Sequence, residues 1–233
     1  PLTVTATGIA GPADPSRSTI EPDPDSLVRT VGSSTATWIR VVIRDQYDNV
    51  LANPQGTVLV SADDSAVVLG TVVNNNNGSY SLEFTPSTVA HDVVLIGSYD
   101  NAGIIGATIT QVPDEATHYA VSTSTRTLVA GTSLTATAQL KDQFENDVLD
   151  AGRTVNWGSS GSNGSWSSVV ATDAYGTATA TYTTDGTMAS GQTVSASSIS
   201  PVVQGTSLTF ETIAGAPRSV SYTHLTLPTI LLV

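Results

Sequence analysis

Asp45-Gln46-Tyr47-Asp48-Asn49 returns ninety-seven residues later as Asp142-Gln143-Phe144-Glu145-Asn146, each copy directly following a strand-like run. The chain is therefore a tandem repeat. A period near one hundred residues is too long for a solenoid unit and has the size of an independently folding small domain. Ahead of the motif, Ile39, Val41 and Ile43 alternate with Arg40, Val42 and Arg44; in the second copy Ala136, Ala138 and Leu140 alternate with Thr137, Gln139 and Lys141. Apolar residues at every second position predict a half-buried strand. The two inward sets coincide position for position under the same offset.

Beyond the motif, Thr57-Val58-Leu59-Val60-Ser61 lies over Thr154-Val155-Asn156-Trp157-Gly158, with Val58, Val60, Val155 and Trp157 on the inner face. Turn-rich stretches follow, Asn74 to Ser79 and Thr172-Asp173-Ala174-Tyr175-Gly176, in which Gly78 and Gly176 supply the positive φ that a reversal needs. Alternating strands leave each glycine through Tyr80, Leu82 and Phe84 and through Ala178, Ala180 and Tyr182. Final strands are expected around 93–97 with 107–109, and around 193–196 with 207–210. About seven short strands per copy, with no helix-length 3.6-residue period, predict an all-β fold of two tandem immunoglobulin-like antiparallel β-sandwiches.

The first domain is placed at residues 1–112 and the second at 117–213, joined by a short linker over 111–116. Residues 11–31, which include Glu21-Pro22-Asp23-Pro24-Asp25, read as an inserted surface loop because proline cannot donate to a strand ladder. Residues 214–233 read as the start of a third repeat that runs into a different kind of sequence. Val220-Ser221-Tyr222-Thr223-His224-Leu225-Thr226-Leu227-Pro228-Thr229 resembles the translation of a sequencing-library adapter, so about the last fourteen residues are read as non-native. The chain opens at Pro1 and its only methionine is Met188, so it is read as part of a longer reading frame.

Of the 233 residues, 39% are hydrophobic and 12% charged, which excludes a disordered polyelectrolyte. No cysteine is present, so each core must hold without disulfides. Thr and Ser make up roughly a quarter of the chain, a composition suited to pleated, half-exposed sheet. The formal charge of -12 would repel phosphates and anionic headgroups, which argues against nucleic acid and against a membrane surface as partners. No stretch reaches the roughly 18 apolar residues that span a bilayer, so no direct membrane insertion is expected of this piece.

Two readings of the repeated motif stand side by side. Its carboxylate and amide oxygens are hard ligands, so Asp48 and Asn49, or Glu145 and Asn146, together with the linker acids Asp114 and Glu115, are candidates for calcium. In the other reading, Asp45 and Asp142 close a strand end with an Asx-type turn, the aromatic packs over the sandwich end, and Asn49 and Asn146 take the left-handed conformation. The turn is favoured because no dense Asp-x-Asp-x-Asp-Gly ladder occurs, and no cofactor is expected. Trp166, within Gly164-Ser165-Trp166-Ser167-Ser168, is the candidate glycan contact, whereas Trp157 is expected in the core. His91, His118 and His224 are dispersed, and no nucleophile or phosphate-cradling motif is present, so no enzyme is expected.

Lys141-Asp142-Gln143-Phe144-Glu145-Asn146 followed by a buried strand, a Gly/Ser-rich loop and Thr172-Asp173-Ala174-Tyr175-Gly176-Thr177-Ala178 resembles the bacterial immunoglobulin-like repeats of the intimin and invasin adhesins. The resemblance covers most of residues 117–213. The first copy resembles a diverged member, with Asn74-Asn75-Asn76-Asn77-Gly78 in place of Thr-Asp-x-x-Gly. It implies an extracellular stalk module, anchored to the outer membrane through parts of the protein outside this sequence. Its partners would be adjacent repeats of the same chain, with host-cell or neighbouring-cell ligands bound by other domains. The alternative is a receptor- or glycan-binding module that uses the sandwich end loops.

Overall fold

Thr37–Val42 shows how the alternation is used: Thr37, Ile39 and Val41 are buried while Trp38 and Arg40 face outward. The computed structural model describes residues 9–23, 27–161, 164–167, 170–199 and 202–217. Among these there is no helix, and the fold is all-β. Contacts divide the described residues into two compact units, one drawn from 1–119, 139–153 and 172–177, the other from 120–138, 154–171 and 178–233.

The first repeat contributes β1 (Thr19–Pro22), β2 (Val28–Thr30), β3 (Thr37–Val42), β4 (Val58–Ala62), β5 (Val68–Leu69), β6 (Val73–Asn74), β7 (Ser79–Thr85), β8 (Asp92–Tyr99) and β9 (Ala102–Val112). One layer pairs β1, β3 and β7 antiparallel, so that Ile20 faces Val41 and Ile39 faces Leu82, with β5 and β6 on the far edge of β7. The other pairs β4, β8 and β9 antiparallel and adds β2 parallel to β9. The inward residues of both layers, among them Ile39, Val41, Leu82, Phe84, Leu95 and Ile109, form one core. Burying such side chains is worth about 1.5–3 kcal/mol each, which is how a cysteine-free sandwich of this size holds.

The expected surface loop over 11–31 is not a loop throughout. It holds β1 and β2, and Ser18, Ile20 and Val31 are buried. The first strand of the sandwich pairs with β3 through Pro22, then reappears as β2 on the opposite layer. Pro22 is tolerated because it ends its strand, where a missing N–H costs no interior ladder bond. Pro22, one of the prolines that suggested a loop, is where β1 ends.

The second repeat carries β10 (His118–Thr123), β11 (Thr127–Val129), β12 (Ser133–Lys141), β13 (Thr154–Ser159), β14 (Ser165–Trp166), β15 (Val170–Ala171), β16 (Thr177–Thr183), β17 (Ala189–Gln192), β18 (Val194–Ile199), β19 (Val202–Thr206) and β20 (Phe210–Ile213). Eight strands form one sheet in the order β14-β16-β12-β10-β19-β18-β13-β15, and β11, β20 and β17 form a smaller one. Leu128, Leu134, Ala136, Tyr182, Val194 and Phe210 are the core of this unit. The expected strand at 207–210 begins only at Phe210; Ser207 stays bonded to Val194, its N–H donating to the Val194 carbonyl (2.9 Å) and its hydroxyl accepting from the Val194 N–H (3.1 Å).

Gly78 and Gly176 take the expected positive φ, at 89° and 73°. A Cβ on Gly78 would overlap the Leu51 carbonyl oxygen, and one on Gly176 the Val148 carbonyl oxygen. The same backbone crossing is thus built twice. Residues 139–153 and 172–177 group with the first of the two compact units. Residues 218–233, where the adapter-like stretch and most of the expected third repeat fall, lie outside the described residues.

Candidate functional site

Both motif aspartates are fully buried. Asp45 Oδ1 accepts hydrogen bonds from the backbone N–H groups of Tyr47 (2.9 Å) and Asn49 (3.0 Å), while Oδ2 accepts from Gly11 N–H (2.8 Å) and the Asn49 amide (3.0 Å). Asp142 repeats the pattern. Its Oδ1 accepts from Phe144 (2.8 Å) and Asn146 (2.9 Å), its Oδ2 from Asp114 N–H (3.0 Å) and the Asn146 amide (2.9 Å). Charge-assisted bonds of this kind make a buried carboxylate tolerable.

The cage also fixes the protonation state. The Asn49 side chain is the main influence that lowers the Asp45 pKa from 3.8 to about 2; burial opposes it, and the N–H groups of Gly11, Asn49 and Tyr47 add to it. At Asp142 burial is the largest influence and favours the neutral acid. The Asn146 side chain and the N–H groups of Asn146, Asp114 and Phe144 overcome it, and the carboxyl stays below its usual range. These oxygens are occupied as acceptors from within the chain.

Asp48 (φ 67°) and Glu145 (φ 70°) take the left-handed conformation, which corrects its expected assignment to Asn49 and Asn146. The asparagines are held instead by bonds back to the aspartates, so the backbone reverses one residue earlier. The calcium candidates point to separate partners. Asp48 pairs with Arg17 (3.2 Å), Glu145 with His118 (3.2 Å), and Asp114 Oδ2 accepts from the Gln143 amide (2.9 Å). Asn49 donates to Asp45, Asn146 is engaged as described below, and Glu115 is exposed. Among the described residues, no three acidic or histidine side chains come together in a way that would hold a metal.

Residues of the second motif meet the first repeat inside one compact unit. Asn146 Oδ1 accepts from Ala90 N–H (2.9 Å) and its Nδ2 donates to the Thr88 carbonyl (2.9 Å). The Phe144 ring covers Gly32, occupying the space a side chain there would need. Tyr47, at the matching place in the first motif, is 74% exposed.

Trp166 is half-buried. Its ring stacks on Trp157 at 5.2 Å and lies 4.8 Å from Tyr182, and all three belong to or pack on the second core. Trp38 is the more open tryptophan, 55% exposed on the outer face of β3. It lines a groove of about 780 Å³ together with Glu21, Asp23, Arg40, Asn75 and Ser81. Sequence reasoning passed over Trp38 because it sits at an outward position of a strand read for its inward residues. The signal was present in the alternation itself, which assigns Trp38 to the solvent side. His91 lies 3.6 Å from Asp64 at the surface.

The first strand of the first repeat is divided between two layers, as β1 beside β3 and β2 beside β9, and a buried, hydrogen-bonded aspartate follows β3 and β12. Residues 14–114 match the family model described as "Invasin, domain 3". Among solved structures, it resembles the Escherichia coli adhesin FdeC, with 21% identity over 90% of this chain and 67% of that one, at a TM-score of 0.59. It also resembles invasin, described as a bacterial integrin-binding protein, with 20% identity over 86% of this chain and 41% of that one, at a TM-score of 0.53. Yersinia pseudotuberculosis InvD matches with 17% identity over 89% of this chain and 61% of that one, at a TM-score of 0.53. At these identities the likeness is one of fold. The chain spans less than two thirds of the invasin and InvD structures. No curated protein sequence matches the chain.

Proposed function

We propose that this chain is a spacer segment of a bacterial surface adhesin, one stretch of an array that carries a distal binding domain away from the outer membrane. One observation carries the reading. Phe144, expected to pack over the sandwich end, and Asn146, a calcium candidate, are engaged by Gly32, Thr88 and Ala90 of the preceding repeat. A sandwich whose end groups are used on its neighbour converts chain length into reach and requires no chemistry of its own. The test is to excise Pro12–Gly215 from the intact protein and compare ligand capture in solution with attachment of whole cells. Unchanged capture with weakened attachment supports a spacer. Loss of capture in solution would place recognition in these repeats and sink the reading.

A second reading, direct contact with a glycan, is favoured by the Trp38 groove. An open aromatic face beside carboxylate, guanidinium and amide groups is suited to stacking on a sugar ring and bonding its hydroxyls. Glycan-array binding that disappears with Trp38→Ala would support it, and an array silent with the unaltered protein would dismiss it. Trp166, the other candidate, is half-buried with its ring against Trp157 and Tyr182.

A further inference from the structure

The chain enters both repeats in the same way. Gly11 N–H donates to Asp45 and Asp14 N–H to the Arg44 carbonyl (2.7 Å), just as Asp114 N–H donates to Asp142 and Thr117 N–H to the Lys141 carbonyl (2.8 Å). Both repeats also end in the same loop. Val31 N–H donates to the Val112 carbonyl (3.0 Å) and Gly32 N–H to that of Ser87 (2.8 Å). In the second repeat Ala130 N–H donates to the Ile213 carbonyl (2.9 Å) and Gly131 N–H to that of Asp185 (2.7 Å). Gly32 and Gly131 share a positive φ, 65° and 82°. By this register Gly186 stands where Thr88 stands, and Met188 where Ala90 stands.

The loop around Gly32 is filled and the one around Gly131 is open. A Cβ built on Gly32 would strike the Phe144 ring, whereas on Gly131 or Gly186 it would meet nothing within 4 Å, and Met188 is 68% exposed. The first motif shows the complementary vacancy. Tyr47 is 74% exposed, and among the described residues the Asn49 amide donates to its own Asp45 alone, whereas Asn146 reaches both Asp142 and the preceding repeat.

We propose that Tyr47 with Asn49, and Gly131 with the 186–188 loop, are the two halves of a docking joint for a further immunoglobulin-like repeat of this same kind. The Phe144 joint is its template. An aromatic ring closes over the left-handed glycine, and the motif asparagine bridges the N–H at position 188 and the carbonyl at 186. Met188 suits the role because a flexible thioether adapts to the edge of a tyrosine ring, and Gly186 leaves its carbonyl uncovered. Joined in one chain, such halves meet at high effective concentration, so a small contact suffices. The inference rests on the array reading and adds to it which residues connect one bead to the next.

Ile9-Ala10-Gly11 and Ile213-Ala214-Gly215 are the same three residues in register, which supplies a test. The chain is duplicated so that Pro1–Gly215 of one copy continues directly into Pro12–Val233 of the next, and amide hydrogen exchange is compared with that of the single chain. At least tenfold slower exchange at Met188 of the leading copy is expected, with the protection lost on Asn49→Ala or Tyr47→Ala in the trailing copy. Ala90 is the internal standard: its N–H should exchange faster on Asn146→Ala in either protein. If Met188 exchanges equally in both proteins while Ala90 behaves as stated, the joint is wrong, although a spacer with unlocked links survives. Protection at Met188 that ignores both trailing-copy substitutions overturns the proposal as well.

Discussion

The two copies of the motif loop share a cage and differ in surroundings. At Asp45 and Asp142 the same four kinds of donor converge on a buried carboxylate, and the chain reverses at the same left-handed residue. Outside the cage the copies part. Phe144 closes over Gly32 and Asn146 bonds to Thr88 and Ala90, while Tyr47 faces solvent. One short motif therefore has two separable tasks, ending a strand and gripping a neighbour. Only the first is intrinsic to the loop.

The shared part should break most severely. Gly78→Ala and Gly176→Ala each place a methyl group on a carbonyl oxygen at a positive-φ residue, and each should cost about 4 kcal/mol. Urea unfolding can be followed through Trp38 for the first repeat and, in a Trp38→Phe background, through Trp157 and Trp166 for the second. Equal costs confirm a common construction; a gap well above 1 kcal/mol would separate the copies.

The unshared part should show as an asymmetry. Gly32→Ala pays for left-handed strain and for displacing Phe144, about 3 kcal/mol in all, whereas Gly131→Ala carries the strain alone, about 1 kcal/mol. Phe144→Ala should cost about 2 kcal/mol and Tyr47→Ala less than about 0.5 kcal/mol in the single chain. Similar losses for the last pair, measured in the same unfolding experiment, would show that the two rings are equally engaged.

The smallest effect is a pH slope common to both loops. A carboxyl whose folded pKa lies below its unfolded value binds fewer protons folded than unfolded, so its stabilisation is complete above the unfolded pKa and is lost as pH falls. For Asp45 that window runs from 3.8 down to about 2, and Asp142 titrates in the same direction. The melting temperature should hold steady from neutrality to about pH 4 and then decline. Asp45→Asn should flatten that decline, and an unchanged slope would show that the Asp45 cage contributes nothing to it.

Much of the architecture was written locally. Ile39, Val41 and Ile43 and their counterparts Ala136, Ala138 and Leu140 are all fully buried, as their alternation implied. Tyr80, Leu82 and Phe84 likewise face the core. Where local signals conflicted, the sequence misled. Prolines around Ile20 hid a strand that changes sheets, and Asn49 and Asn146, good left-handed residues by type, were held by side-chain bonds while Asp48 and Glu145 made the reversal. Trp166 carried a polar, glycine-rich context that suggested partial exposure, and it is half-buried, its ring set against Trp157 and Tyr182.

By itself, the sequence determined the all-β class, the tandem repeat, the inward face of the central strands and the strand-ending role of the aspartates. Each of these depends on a period of two or on turn chemistry within five residues, and such forces act between near neighbours. Only the tertiary structure decided that Phe144 is covered and Tyr47 is not, that Trp38 rather than Trp166 is the open tryptophan, and that the motif asparagine grips a preceding repeat. The grip on the preceding repeat depends on groups fifty or more residues apart arriving at one place, as Phe144 does with Gly32 and Asn146 with Thr88 and Ala90. Composition and periodicity carry no record of that meeting.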